Sequence, residues 1–199
     1  MKGNNISDTE KWSLFRNGDD LWFSNIYSEY SVKLFHYGVK FTPTQSIVED
    51  VIQDLFSELY KNRKSLGDTD NILFYLMSSF KRKLLRSLKK EEILKNNPIE
   101  DSYQFEVSYS IEFEIIKEEQ QKNHAKKILK VLQLLTPRQR EAIYLRYTKE
   151  LNYQEISDLM GLNVVSVRNL ISKAIRTLRI TLADTPSIIN LLSILKFIE

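Results

Sequence analysis

The chain has 199 residues, 42% of them hydrophobic, and a formal charge of +3, enough for one domain or two small ones with ordinary cores. The lack of cysteine excludes disulfides and thiolate metal sites and fits a reducing, cytoplasmic setting. The opening MKGNNISDTEKW has no apolar signal-peptide core, and the longest apolar run, IINLLSILKFI, is too short for a bilayer and is broken by Lys196, so no membrane insertion is expected.

Nearly everything reads as helix, because glycine and proline are few and no alternating strand pattern of useful length appears. Residues 1–19 read as a loose N-terminal arm. From Asp20 a helix places Phe23, Ile26, Tyr30 and Leu34 on one side, and FTPTQ, 41–45, breaks it. Ser46 with Glu49 is expected to cap the next helix, whose apolar stripe is Val48, Val51, Ile52, Leu55, Phe56 and Leu59. Its opposite face carries Glu49, Asp50, Gln53, Asp54 and Ser57. That acid-amide strip is either a solvated face or a dock for a basic partner.

After a polar loop, 61–71, Asp70 is expected to cap a helix that buries Leu73, Leu76, Phe80, Leu84 and Leu88. Residues 81–90, KRKLLRSLKK, hold six basic groups and no acid, whereas residues 91–119 hold nine acids against two lysines. Such segregation suggests a cationic stripe for a polyanion, followed by an acidic connector; a solvated helix face is the plainer alternative. Residues 91–110 lack a clean period and include Asn-Pro, and read as a flexible linker. A helix is then expected from Ile111 to Leu135.

LTPRQREAIYLRY follows, with Thr136 as cap, Pro137 at the first helical position and Gln139 closing a capping box. In 152–179 a second box, Asn152 with Glu155, starts a short helix that Gly161 ends. Asn163 can cap another, with Val164, Val167, Leu170, Ile171, Ala174 and Leu178 as its buried stripe. Two helices around a one-glycine turn, with small Ser157 at the crossing, make a helix-turn-helix. The outer face then carries Ser166, Arg168, Asn169, Ser172, Lys173 and Arg176, groups able to hydrogen-bond base edges and phosphates. Residues 182–199 are expected to add an apolar helix with Pro186 at its first position, which packs back on this unit or else meets a partner or a second copy.

"LTPRQREAIYLRY…YQEISDLMG…VVSVRNLISKAIRTLR" resembles region 4, the promoter-reading C-terminal domain of bacterial RNA polymerase sigma factors of the sigma-70 family, in the extracytoplasmic-function (ECF) group. "VEDVIQDLFSELY" and "YLMSSFKRKLLRSLKK" resemble that family's region 2. The resemblance covers roughly residues 20–90 and 125–180 and implies an all-α fold of two small helical domains, 20–90 and 111–181. It implies core RNA polymerase and promoter DNA as partners, with an anti-sigma factor as a possible third. By the same resemblance, Asp50, Gln53 and Asp54 would bind the polymerase clamp. Lys81, Arg82, Arg86 and Lys89 would bind the −10 element and the separated strand. Phe74, Tyr75 and Tyr60 are aromatics able to stack on unpaired bases, although for Phe74 and Tyr75 core packing is the plainer reading. Asn163, Ser166, Arg168, Asn169, Lys173 and Arg176 would contact the −35 element. Arg82 and Arg86 stand where the family commonly has Asn and Asp, and Tyr75 where it commonly has Trp.

Catalysis is not expected. The glycines at 3, 18, 38, 67 and 161 lie too far apart for a phosphate loop. His36 and His124 fall in separate predicted units, so no metal site, catalytic triad or cofactor is implied. The alternatives to a sigma factor are a helix-turn-helix regulator acting on a palindrome without core polymerase, and a helical adaptor that binds only protein.

Overall fold

The computed structural model describes residues 6–94, 104–106 and 130–181, and among these every regular element is helical. The chain divides into two units, Met1–Glu100 and Asp101–Glu199. The helices of the first are α1 (Asp8–Arg16), α2 (Asp20–Gly38), α3 (Gln45–Asn62) and α4 (Ile72–Leu94), with a 3-10 turn, Arg63–Ser65, after α3. Those of the second are α5 (Pro137–Tyr147), α6 (Tyr153–Met160) and α7 (Val164–Thr181).

In the first unit α2, α3 and α4 pack on one another. Their core is the stripe Val48, Val51, Ile52, Leu55, Phe56 and Leu59 of α3 against Ile26, Tyr30 and Leu34 of α2 and Leu76, Met77, Phe80 and Leu84 of α4. Gly38 is required where α2 meets both partners, because a Cβ there would lie 2.6 Å from Val48 and 2.8 Å from Phe80. Leu73 and Leu88, expected inside, are only half-buried, and Ile72 takes the place of the first.

Three further expectations for this unit are corrected. The arm 1–19 contains helix α1, opened by a Ser7–Glu10 capping box, with Trp12 and Phe15 each 1% exposed. Two aromatics three residues apart bury one face, which is what holds so short a helix against the unit. The Ser46–Glu49 box does not form: α3 starts one residue before Ser46, from Thr44, which makes no side-chain capping bond. At the start of α4 the cap is Asn71, whose Oδ1 accepts from the Phe74 amide at 3.0 Å, and Asp70 stays exposed.

In the second unit the expected caps of α5 and α6 both form, and Gly161 closes α6 at φ 63°, the left-handed conformation. Ser157 is buried at the crossing and its Oγ donates to the Gln154 carbonyl at 2.8 Å. Val167, Ile171, Ala174 and Leu178 form the buried stripe of α7, with Val164 and Leu170 half-buried beside them. Within the flexible linker expected over 91–110, Phe105 departs from a solvated chain. It is fully buried, with its ring 5.7 Å from that of Tyr144. Phe105 stands in an acid-rich stretch with Tyr103, Val107 and Tyr109, and no helical period there singles it out as the buried ring. Of the helix expected over 111–135, only its end at 130–132 is described, with Val131, Leu132 and Leu135 buried. His124 and the helix expected in 182–199 lie outside the described residues.

Candidate nucleic-acid interface

In the second unit the helix-turn-helix presents α7. Its start is fixed by Asn163, whose Oδ1 accepts from the Ser166 amide at 2.8 Å. That bond makes Asn163 a cap and leaves its amide NH2 as the group available to a ligand. Arg168, Asn169, Ser172, Lys173 and Arg176 are all exposed, and Ser166 is half-buried. Positions 165, 168, 169, 172 and 176 follow helical spacing and so share one face. Val165 opens that face at 67% exposure, a large apolar side chain left in solvent beside the polar row. Its sequence neighbour Val164 fits the buried stripe, so the pattern alone gives no reason to single Val165 out.

Arg168 does not extend freely. Its guanidinium carbon lies 5.3 Å from the centre of the Tyr153 ring, and that of Arg146 lies 4.9 Å from the same ring. Arg146 is tied in turn by its Nη1, which donates to the Leu151 carbonyl at 2.9 Å. Cation–π contact of this kind narrows the rotamers of a long side chain before any ligand arrives.

In the first unit Arg82, Arg86 and Lys89, at i, i+4 and i+7 of α4, form an exposed cationic stripe. Lys81, grouped with them on charge, is not part of it. It is 5% exposed, with its Nζ 5.7 Å from the centre of the Phe41 ring. The reason is its register: four residues after Met77 and three before Leu84, it falls on the buried arc. Lys83 is half-buried and paired with Glu58.

Along the stripe runs a cleft of about 390 Å³ lined by Leu55, Leu59, Asn62, Leu66, Tyr75 and Ser79, with Glu58 and Lys83 at its edge and Arg82 and Arg86 on the same wall. Tyr75 is half-buried, and burial pushes its phenol above the ordinary value against the opposing pull of Arg82. It is a neutral aromatic ring beside two guanidiniums. Tyr60 is half-buried as well, its hydroxyl donating to Asp20 at 3.1 Å and its ring 4.4 Å from the Arg63 guanidinium.

The acid-amide strip is on the surface, since Glu49, Asp50, Gln53, Asp54 and Ser57 are all exposed. Gln53 and Ser57 border a second groove, of about 590 Å³, whose other walls include Phe23, Tyr27, Phe56 and Tyr60. An aromatic groove beside exposed carboxylates and an amide suits a protein surface with basic and apolar groups side by side. His36 is half-buried against Phe35, at 6.2 Å between rings. Among the described residues no group of three His, Asp or Glu could hold a metal, and no helix is long and apolar enough to cross a membrane.

Residues 125–178 match the family model for sigma-70, region 4. No curated protein matches the sequence. Among solved structures the chain is similar to the sigma factor RpoE of Bartonella quintana, in complex with the anti-sigma factor NepR. The TM-score is 0.58 at 16% identity, covering 83% of this chain and 98% of that one. It is also similar to CnrH in complex with the cytosolic domain of CnrY, at TM-score 0.57 and 18% identity, over 92% of this chain and 100% of that one. Residues 125–178 thus match sigma-70, region 4, and the chain as a whole has the helical fold seen in RpoE and CnrH.

Proposed function

We propose that the chain is a sigma factor that directs core RNA polymerase to specific promoters, with region 4 reading the −35 element and the first unit engaging the −10 element. The observation that carries this reading is the outer face of α7, on which Arg168, Asn169, Ser172, Lys173 and Arg176 are exposed together within the region 4 match. A helix of that width enters the major groove, where Arg reads guanine and Asn reads adenine through paired hydrogen bonds. Val165, exposed on the same face, offers its methyl groups to a thymine methyl.

On this reading Arg82, Arg86 and Lys89 of α4 carry the phosphates of the separated strand, and Tyr75 in the adjoining cleft stacks on an unpaired base. Asp50, Gln53 and Asp54, with the aromatic groove beside them, receive the polymerase. Chemistry belongs to the polymerase, and this chain supplies binding and orientation. An anti-sigma protein is a further partner on this reading, as both solved relatives were captured with a second protein, RpoE with an anti-sigma factor and CnrH with the cytosolic domain of CnrY.

The test is promoter binding measured with and without core polymerase. The proposal requires retention of promoter DNA that depends on core. A regulator acting alone would instead bind a palindromic duplex as a dimer with no polymerase present.

A further inference from the structure

Helix α1 has no assigned part in the reading above, yet its polar and aromatic groups converge on one short segment. Trp12 donates its indole Nε1–H to the Gly67 carbonyl at 2.8 Å. Arg16 pairs with Asp68. Asp8 Oδ2 accepts the Ile72 amide at 2.9 Å, so a side chain of α1 satisfies a free N–H at the first turn of α4. The Trp12 ring also lies 4.9 Å from the ring of Tyr75.

The segment held in this way is 66–71, a non-helical connection leading into α4. Gly67, Asp68 and Asp70 are exposed, and the Thr69 hydroxyl bonds the backbone of Asn71. Such a loop would sample many conformations if nothing outside it restrained it. Leu66 at its start and Tyr75 just beyond its end both line the cleft beside Arg82 and Arg86. The four ties of α1 therefore set where two walls of that cleft stand.

We propose that α1 is a strut that holds loop 66–71 and the Tyr75 ring in the arrangement that receives the separated promoter strand, with Trp12 as the positioning residue. This rests on the reading of the first unit as the −10-binding domain. Asp8 fixes the start of α4, Trp12 fixes the loop backbone and the stacking ring, and Arg16 fixes the tip of the loop. The strut lowers the ordering cost of strand capture because the cleft is formed before the strand arrives.

Two variants test this in the full chain assembled with core polymerase. Trp12→Phe keeps a ring in the core and removes the N–H donated to Gly67. Asp68→Asn breaks an exposed pair that contributes little to stability. Each holoenzyme is titrated with a fluorescent non-template −10 oligonucleotide, and separately with −35 duplex, from a promoter mapped with the parent. The expected result for Trp12→Phe is a rise of about five- to tenfold in Kd for the single strand, the scale of one missing hydrogen bond. Asp68→Asn shifts it in the same direction by less, and affinity for the −35 duplex and for core is unchanged in both. An unchanged strand Kd in Trp12→Phe overturns the proposal, and so does an equal loss on strand and duplex, the mark of a helix that merely stabilises the unit. If Trp12→Phe does not fold, Asp68→Asn decides by the same ratio. A parent holoenzyme that ignores the −10 strand altogether removes the sigma reading itself, a result distinct from failure of the strut alone.

Discussion

The two cationic helices carry their charge at different densities, and the density decides how each is built. In α7, Arg168, Lys173 and Arg176 are spaced among apolar residues, so that Val167, Ile171, Ala174 and Leu178 face inward and every one of these cations faces out. In α4, six cations crowd ten residues on a helix packed against both α2 and α3. A wide buried arc and a dense charge run cannot both be accommodated without overlap. Lys81 is where they overlap, its charged end against the Phe41 ring. A sparse pattern separates surface cations from core residues by period alone, whereas in a dense one position on the helix outweighs residue type.

The sharpest way to test this comparison is in α7. Arg168→Ala should cost about 1–3 kcal/mol on promoters carrying the cognate base, and far less on one changed at that base. Equal losses on both would reduce Arg168 to a phosphate-binding role like that proposed for α4. In α4 the effect should be electrostatic instead. Replacing Arg82 and Arg86 together by Ala should flatten the slope of log affinity for the −10 strand against log salt by roughly 1.4, about 0.7 for each phosphate no longer neutralised. Lys81→Ala should leave that slope alone and destabilise the first unit by about 1 kcal/mol in thermal unfolding, because a packed stem is removed. A salt effect from Lys81→Ala equal to that of Arg82 would mean the two sides of α4 are not distinct. The smallest expected effect is at Val165. Deoxyuridine in place of the −35 thymine that Val165 meets should weaken binding by about 0.8 kcal/mol, the worth of one buried methyl group, and Val165→Ala should erase that difference.

How much of this was legible in the sequence varied with how local the cause was. Both capping boxes of the second unit and the Gly161 stop act within four residues, and each stands where the spacing put it. The Asp50, Gln53 and Asp54 strip was equally legible, because a clean apolar stripe on α3 leaves the opposite face no other place. What was missed depended on distant partners. Helix α1 is nine residues long and is held by Trp12, Phe15 and bonds to a loop about fifty residues away, so its sequence reads as a loose arm. Phe105 is inside because Tyr144, far along the chain, gives it a surface to cover. Lys81 was within reach, since its spacing from Met77 and Leu84 already puts it on the buried arc, but a run of charge is the louder signal and hides the period beneath it.

The proposed role of this chain is to place core polymerase on DNA through two units at once. It is tested most directly by in vitro transcription on fragmented genomic DNA with core enzyme, with and without the purified chain, and by mapping the transcript starts. New starts are expected only when the chain is present, each preceded by the same two spaced sequence elements, and they should vanish when Asp50, Gln53 and Asp54 are replaced together by Lys. An unchanged set of starts, with no co-migration of the chain and the polymerase, would contradict it.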